Sequence, residues 1–287
     1  MTAGRPGASR GLAAAALATP AGVVVAVGLL VPIAILFRYS LNRFVPGRLM
    51  VEAVTAENYV KFFTDPYYLT VLVRTFRVAA VCTVLCLVLG FPLAYVLART
   101  RTRWKSVLIM LVVLPLFVGN AVRAAGWMVM FGGKGLLNAL LAWLGLGARA
   151  PLMYTEAAVI VGITAVNLPF MVLTLQSVVE GIDPSVEEAA LTLGAGPLQV
   201  FRRVILPLAM PGVLAGTILV FILGMNAYAT PVLLGGPRFQ LMGPVVYGQF
   251  VGLNNWPFGA ALSFVLMTAT LLLTVASNVI VQRRYRR

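Results

Sequence analysis

The sequence predicts an all-α integral membrane protein with six transmembrane helices. Three observations carry that expectation. Of the 287 residues, 61% are hydrophobic and only 10% charged, where a soluble domain carries about 25% charge. Mean hydropathy is +0.97. Apolar runs of about 20 residues or more, the length a helix needs to cross the hydrocarbon, recur between short basic connections. The net charge of +14 would suggest nucleic acid on a soluble chain. Here the arginines lie between apolar runs, where they anchor loops and meet anionic headgroups, so membrane lipid and no nucleic acid is the expected partner of the charge. There is no histidine, the commonest general base and metal ligand, and the eight acidic residues stay out of the centres of the spans. Neither an embedded enzyme nor a metal centre is therefore expected, and no catalytic residue or cofactor is assigned. Cys82 and Cys86 stand four apart on one helix face, as small core residues rather than a disulfide framework.

Taken in order, the first span covers residues 12–37, includes Pro20 and Pro32, and follows Arg5 and Arg10. Its start imitates a secretory signal, but the run is long enough to remain as a spanning helix. Residues 38–68 are polar and aromatic and read as an amphipathic segment on the outer interface. The second span, 69–97, ends in Arg99, Arg101, Arg103 and Lys105, the strongest orientation signal in the chain. A third span, 106–130, contains Pro115, and a loop with a short apolar helix at 136–143 follows. The fourth, 157–178, is expected to be interrupted at Asn167-Leu168-Pro169, as transporters break helices near substrate paths. The fifth covers 208–227, and the sixth, 258–281, ends in Arg283, Arg284, Arg286 and Arg287. Basic residues crowd the short segments beside the span ends, which places both termini and the 183–212 segment in the cytoplasm.

That segment is the clearest polar interruption in the second half of the chain. Asp183 can cap a helix starting at Pro184, or Ser185 and Glu188 can form a capping box; either way Glu187 and Glu188 fall near the helix start, where the dipole favours negative charge. Gly194 can take the left-handed conformation that ends the helix, and Gly196-Pro197 opens a second short helix. The product is a helix-turn-helix hairpin at the membrane surface.

Glu188-Ala189-Ala190, three residues, Gly194, nine residues, then Val204-Ile205-Leu206-Pro207 resembles the EAA signature of permease subunits of binding-protein-dependent ABC importers, with Val204 in place of the usual isoleucine. Further stretches, Glu57-Asn58-Tyr59, Asp65-Pro66, 89–95, Asn167-Leu168-Pro169-Phe170 and 230–237, are similar to the first permease of spermidine/putrescine importers. The resemblance implies a type I ABC importer permease fold, divided into an N-terminal helix with an external segment (1–68), a permease core (69–282) and a basic cytoplasmic tail (283–287). It implies that the hairpin docks on a cytoplasmic ATPase through Glu187, Glu188, Ala189, Ala190, Gly194, Arg202, Leu206 and Pro207. ATP would be bound by that partner, since the chain has no G-x-x-x-x-G-K-[ST] loop. A second permease subunit and a periplasmic or lipid-anchored solute-binding protein complete the expected assembly in a bacterial cytoplasmic membrane. Asn167, Thr164, Trp127, Asn226 and Tyr228 are the expected contacts along the translocation path. A polyamine or related amine is the leading cargo, and phosphonate, oxyanion or metal the alternative within the class. An ATP-independent channel or secondary transporter is the rival of a different class, and it lacks the intramembrane ionisable residues that coupling requires.

Overall fold

The computed structural model describes residues 8–133, 135–143, 152–237 and 239–285. Arg5, Arg286 and Arg287 lie outside them, and with them part of the expected basic tail. The chain forms two compact units, residues 1–64 with 248–265 and residues 65–247 with 266–287.

In the first unit α1 (Ala8–Ser40) keeps Pro20 and Pro32 inside one helix. It leads to β1 (Arg43–Val45) and β2 (Leu49–Val51), paired antiparallel with Arg43 opposite Val51, and to α2 (Glu57–Thr64). This small hairpin is an addition to the all-α expectation; Gly47, at φ +91°, allows the reversal. The Glu57-Asn58-Tyr59 triplet ties the segment together. Asn58 Nδ2 donates to the carbonyls of Ser40 and Asn42, both at 2.8 Å, the Tyr59 hydroxyl meets Ser40 Oγ at 2.8 Å, and Arg43 pairs with Glu57 at 2.8 Å.

The second unit holds α3 (Pro66–Arg99), α4 (Lys105–Val113), a 3-10 turn over Leu114–Phe117, α5 (Asn120–Phe131), α6 (Leu136–Trp143) and α7 (Glu156–Glu180). The surface hairpin follows as α8 (Pro184–Thr192) and α9 (Pro197–Val200), then a π-turn at Phe201–Ile205, α10 (Leu206–Leu208) and α11 (Met210–Met225). The chain continues through α12 (Ala229–Gly235) and α13 (Met242–Tyr247) to α14 (Trp256–Tyr285), which belongs to the first unit up to Val265 and to the second beyond it.

Residues 19–40, 66–99, 156–180 and 256–276 are helical and apolar enough to cross a membrane. Two bent pairs, one broken after Phe117 by 95° and one broken after Leu208 by 70°, bring the number to six if each is a single span. The core of the second unit is the α3–α7–α11 seam, where Phe91, Met171, Leu175, Val179 and Val220 are buried. Small residues let the backbones close in. A Cβ on Gly212 would come within 2.8 Å of Val178, and one on Gly216 within 2.7 Å of Met171 Sδ. Cys82 and Cys86 donate to the carbonyls of Ile160 and Thr164, each at 3.5 Å. Such contacts replace the hydrophobic force that lipid does not supply between helices.

Two expectations change. The break at Asn167-Leu168-Pro169 is absent: α7 runs unbroken with Pro169 inside it. Packing by α3 and α11 holds the helix where Pro169 removes one hydrogen bond. The expected third span, 106–130, is instead split, because Pro115 falls in the 3-10 turn and Val118, at φ −89°, ψ 126°, is extended ahead of Gly119. A proline and a glycine four residues apart, one lacking an amide donor and the other free to turn the chain, end the helix there. The elements α12 and α13 had no counterpart in the sequence reading. Gly162 on α7 makes the seat for α12: a Cβ there would lie 2.6 Å from both Leu234 and Thr230.

Candidate functional site

Two places in the second unit carry chemistry. The first is the surface hairpin. Asp183 Oδ1 accepts from the Ser185 amide at 2.9 Å and Pro184 is the first helical residue, so the Asp183 cap forms and the Ser185–Glu188 box does not. That amide holds the Asp183 carboxyl below its usual range. Gly194 has φ +85°, its amide donates to the Leu191 carbonyl at 2.9 Å and the Ala195 amide to Ala190 at 3.1 Å, the two bonds of a Schellman C-cap.

The two glutamates part company. Glu187, in the first turn, points back into the protein, where its Oε1 accepts from Arg99 Nε at 2.8 Å and from Arg99 Nη2, and Oε2 accepts from the Tyr95 hydroxyl at 2.8 Å. Glu188 is exposed and makes no side-chain bond or ion pair among the described residues. Of the other signature positions, Ala189, Gly194, Arg202 and Pro207 are exposed, and Ala190 and Leu206 are half-buried against the core. Arg202 and Arg203 edge a groove of about 570 Å³ with Pro197 and Gln199. The exposed surface of the hairpin thus combines the free carboxylate of Glu188, small residues and two arginines with the apolar side chains of Leu191, Leu193 and Leu198.

The second place is a cavity of about 730 Å³ between α5, α7 and the chain from α11 into α12, lined among others by Asn120, Arg123, Asn167, Phe170, Asn226 and Tyr228. It brings together three of the five expected path residues, Asn167, Asn226 and Tyr228. Thr164 and Trp127 are not in its lining. Thr164 shares the α7 face of Ile160 that meets α3, and Trp127 stacks on Phe131 with centroids 5.1 Å apart. Asn167 is 3% exposed and its Nδ2 has no partner; Arg123 gives one nitrogen to Asn120 Oδ1 but leaves Nε and the other terminal nitrogen buried and unpartnered. No carboxylate lines the cavity among the described residues. Arg77 is instead paired with Glu156, and Arg74 lies over Phe239 at 5.0 Å. Arg123, by contrast, is turned into the cavity by the bend ahead of α5.

Residues 86–287 match the family described as binding-protein-dependent transport system inner membrane component. The chain belongs to that family. It is a transmembrane permease subunit of an ABC importer, as its curated relatives indicate. It is 38% identical over 235 residues to the spermidine/putrescine transport system permease protein PotB of Haemophilus influenzae, covering 80% of this chain and 82% of the relative. It is 39% identical over 213 residues to PotB of Escherichia coli, covering 74% and 77%. The fold of the family extends to a bacterial alginate ABC transporter in complex with an alginate pentasaccharide-bound periplasmic protein, with TM-score 0.77, 16% identity and 96% of each chain covered. This chain supplies the membrane passage.

Proposed function

We propose that this permease imports a polyamine or a related organic amine, handed over by a solute-binding protein and driven by ATP bound on a separate ATPase. The observation that carries the cargo is the similarity to two PotB permeases over roughly three quarters or more of the chain. The outward face of the hairpin, with Glu188 free and exposed, supports a cytoplasmic ATPase partner. Glu188, Ala189, Ala190, Gly194, Arg202, Leu206 and Pro207 form the docking side. A second permease completes the pore, both termini face the cytoplasm, and residues 69–282 act as the transport core ahead of the basic tail.

The cavity fits a passage that holds its cargo loosely. A polyamine carries two or more positive charges, and Arg123 offers it repulsion, while Asn167, Asn226 and Tyr228 offer neutral contacts. Affinity then resides in the binding protein. An anionic cargo is the second reading, favoured by the unpartnered donors of Arg123. Uptake into vesicles holding the whole importer separates the two: Arg123→Gln should leave spermidine and putrescine uptake intact or faster, and selective loss of an oxyanion or carboxylate cargo would overturn the polyamine reading.

A further inference from the structure

On α3, Phe91, Tyr95 and Arg99 stand at intervals of four and form one stripe. Each member meets the hairpin. Phe91 packs edge-on against Phe201 of the π-turn with centroids 5.1 Å apart, and Tyr95 donates to Glu187. Arg99 uses all three guanidinium nitrogens, two on Glu187 Oε1 and one on the Ile182 carbonyl at 3.0 Å, immediately ahead of the helix cap. Both carboxylate oxygens and every guanidinium nitrogen are engaged, and the side chains are only 19% and 12% exposed. A second ion pair closes the other side: Lys105 at the start of α4 meets Glu180 at the end of α7 at 2.7 Å.

The resemblance implies an ATPase contact for Glu187, and Arg99 reads from sequence as part of the basic cluster that orients the chain; in the fold the two side chains are bonded to each other. A hairpin joined to the membrane helices only through its chain ends could pivot on α7 and α11 and leave α3 behind. A hairpin held along the Phe91–Tyr95–Arg99 stripe cannot, because any rotation of α8 must carry α3 or break a desolvated, fully bonded ion pair. We propose that Glu187, Arg99 and Tyr95 form a brace that makes α3 and the hairpin one moving body, so that a displacement imposed on the hairpin by its partner is delivered to three membrane helices, α3, α7 and α11, at once. They are positioning residues for coupling and need no contact with the partner. The proposal rests on the importer reading above but not on the identity of the cargo.

The test uses the assembled importer in lipid, with Cys82 and Cys86 replaced by alanine and spin labels at Arg101 and Leu193, both exposed. In the otherwise unaltered protein the distance between the labels should be the same without nucleotide and with a non-hydrolysable ATP analogue. In Arg99→Ala or Glu187→Ala it should become nucleotide-dependent, and cargo moved per ATP hydrolysed should fall by about 5- to 150-fold, the usual span of a coupling effect. The double substitution should be no worse than either single one, and Tyr95→Phe should be intermediate. A nucleotide-dependent distance in the unaltered protein, or unchanged cargo per ATP in the single variants, would overturn the brace. Loss of the ATPase on purification of Glu187→Ala would also overturn it, by returning Glu187 to the docking surface. Should the variants fail to fold, the distance in the unaltered protein still decides. Failure of the unaltered importer to move any amine would sink the cargo reading alone, since the distance measurement needs only nucleotide.

Discussion

Adjacent glutamates in one helix turn point about 100° apart, and on α8 that rotation separates a bond within the chain from a surface left open to a partner. Glu188→Lys should therefore leave the thermal stability of the isolated permease within about 0.5 kcal/mol while weakening retention of the ATPase on copurification. An equal loss of stability would show that Glu188 is a structural residue. Glu187→Ala should do the reverse, since removing one partner of a mostly desolvated pair costs on the order of 3 kcal/mol or more, read as a lower melting temperature. At Gly194, with φ +85°, a β-branched side chain meets backbone strain of about 1 to 3 kcal/mol. Gly194→Val should unseat the turn and abolish uptake, and Gly194→Asn should be milder, so equal behaviour of the two would point to volume instead of conformation. The Asp183 cap is sensitive to pH in a defined direction. Its carboxyl is depressed by the Ser185 amide, so its contribution is complete above the unfolded carboxylate pKa of about 4 and is lost as pH falls through the lower folded value. Faster exchange of the Ser185 amide on acidification, absent in Asp183→Asn, is the expected signature.

At the scale of elements, the α3–α7–α11 seam is set by glycines that leave no room for a methyl group. Gly212→Ala should destabilise by about 1 to 3 kcal/mol through overpacking, and Val178→Ala in the same chain should restore much of it, because Val178 is the residue in the way. Simple additivity of the two would show the seam to be slack. The hairpin was legible in the sequence because its signals are local: Asp183-Pro184 at one end, Gly194 at the other, and spacing between them. The path of α7 was not. Asn167-Leu168-Pro169 reads as a break from neighbouring residues alone, whereas whether a proline breaks a helix depends on the packing around it. The split at Pro115 and Gly119 shows the converse outcome of the same residue type. The Arg99–Glu187 pair was hidden for a related reason, since the partners are 88 positions apart and each had a sufficient local explanation.

Across the whole chain, the order of apolar runs and basic connections located the four long spans, the run that holds the first bent pair and the Met210–Met225 half of the second, because bilayer thickness acts on composition directly; the Pro197–Leu208 half reads from sequence as part of the surface hairpin. Cysteines placed at Thr102 and Ala195 in a cysteine-free chain should react with a membrane-impermeant reagent only from the cytoplasm, and one at Pro237 only from outside. Reaction of all three from one side would overturn the six-span reading. Gly236 is a poor site for that label, since its φ of +64° disfavours any side chain. The cavity was not legible, for its lining comes from α5, α7 and the α11–α12 connection, and only the bend ahead of α5 turns Arg123 inward. That single guanidinium also bears on what a cell stands to lose through an importer. A passage that opens in turn to each side risks shunting the proton gradient, and a fixed positive charge is a barrier to hydronium and sodium alike. At about 6 Å and an effective dielectric of about 20 the repulsion is roughly 3 kcal/mol, more than a hundredfold in local cation concentration. Vesicles carrying Arg123→Ser should therefore dissipate an imposed pH gradient faster than those with the unaltered permease.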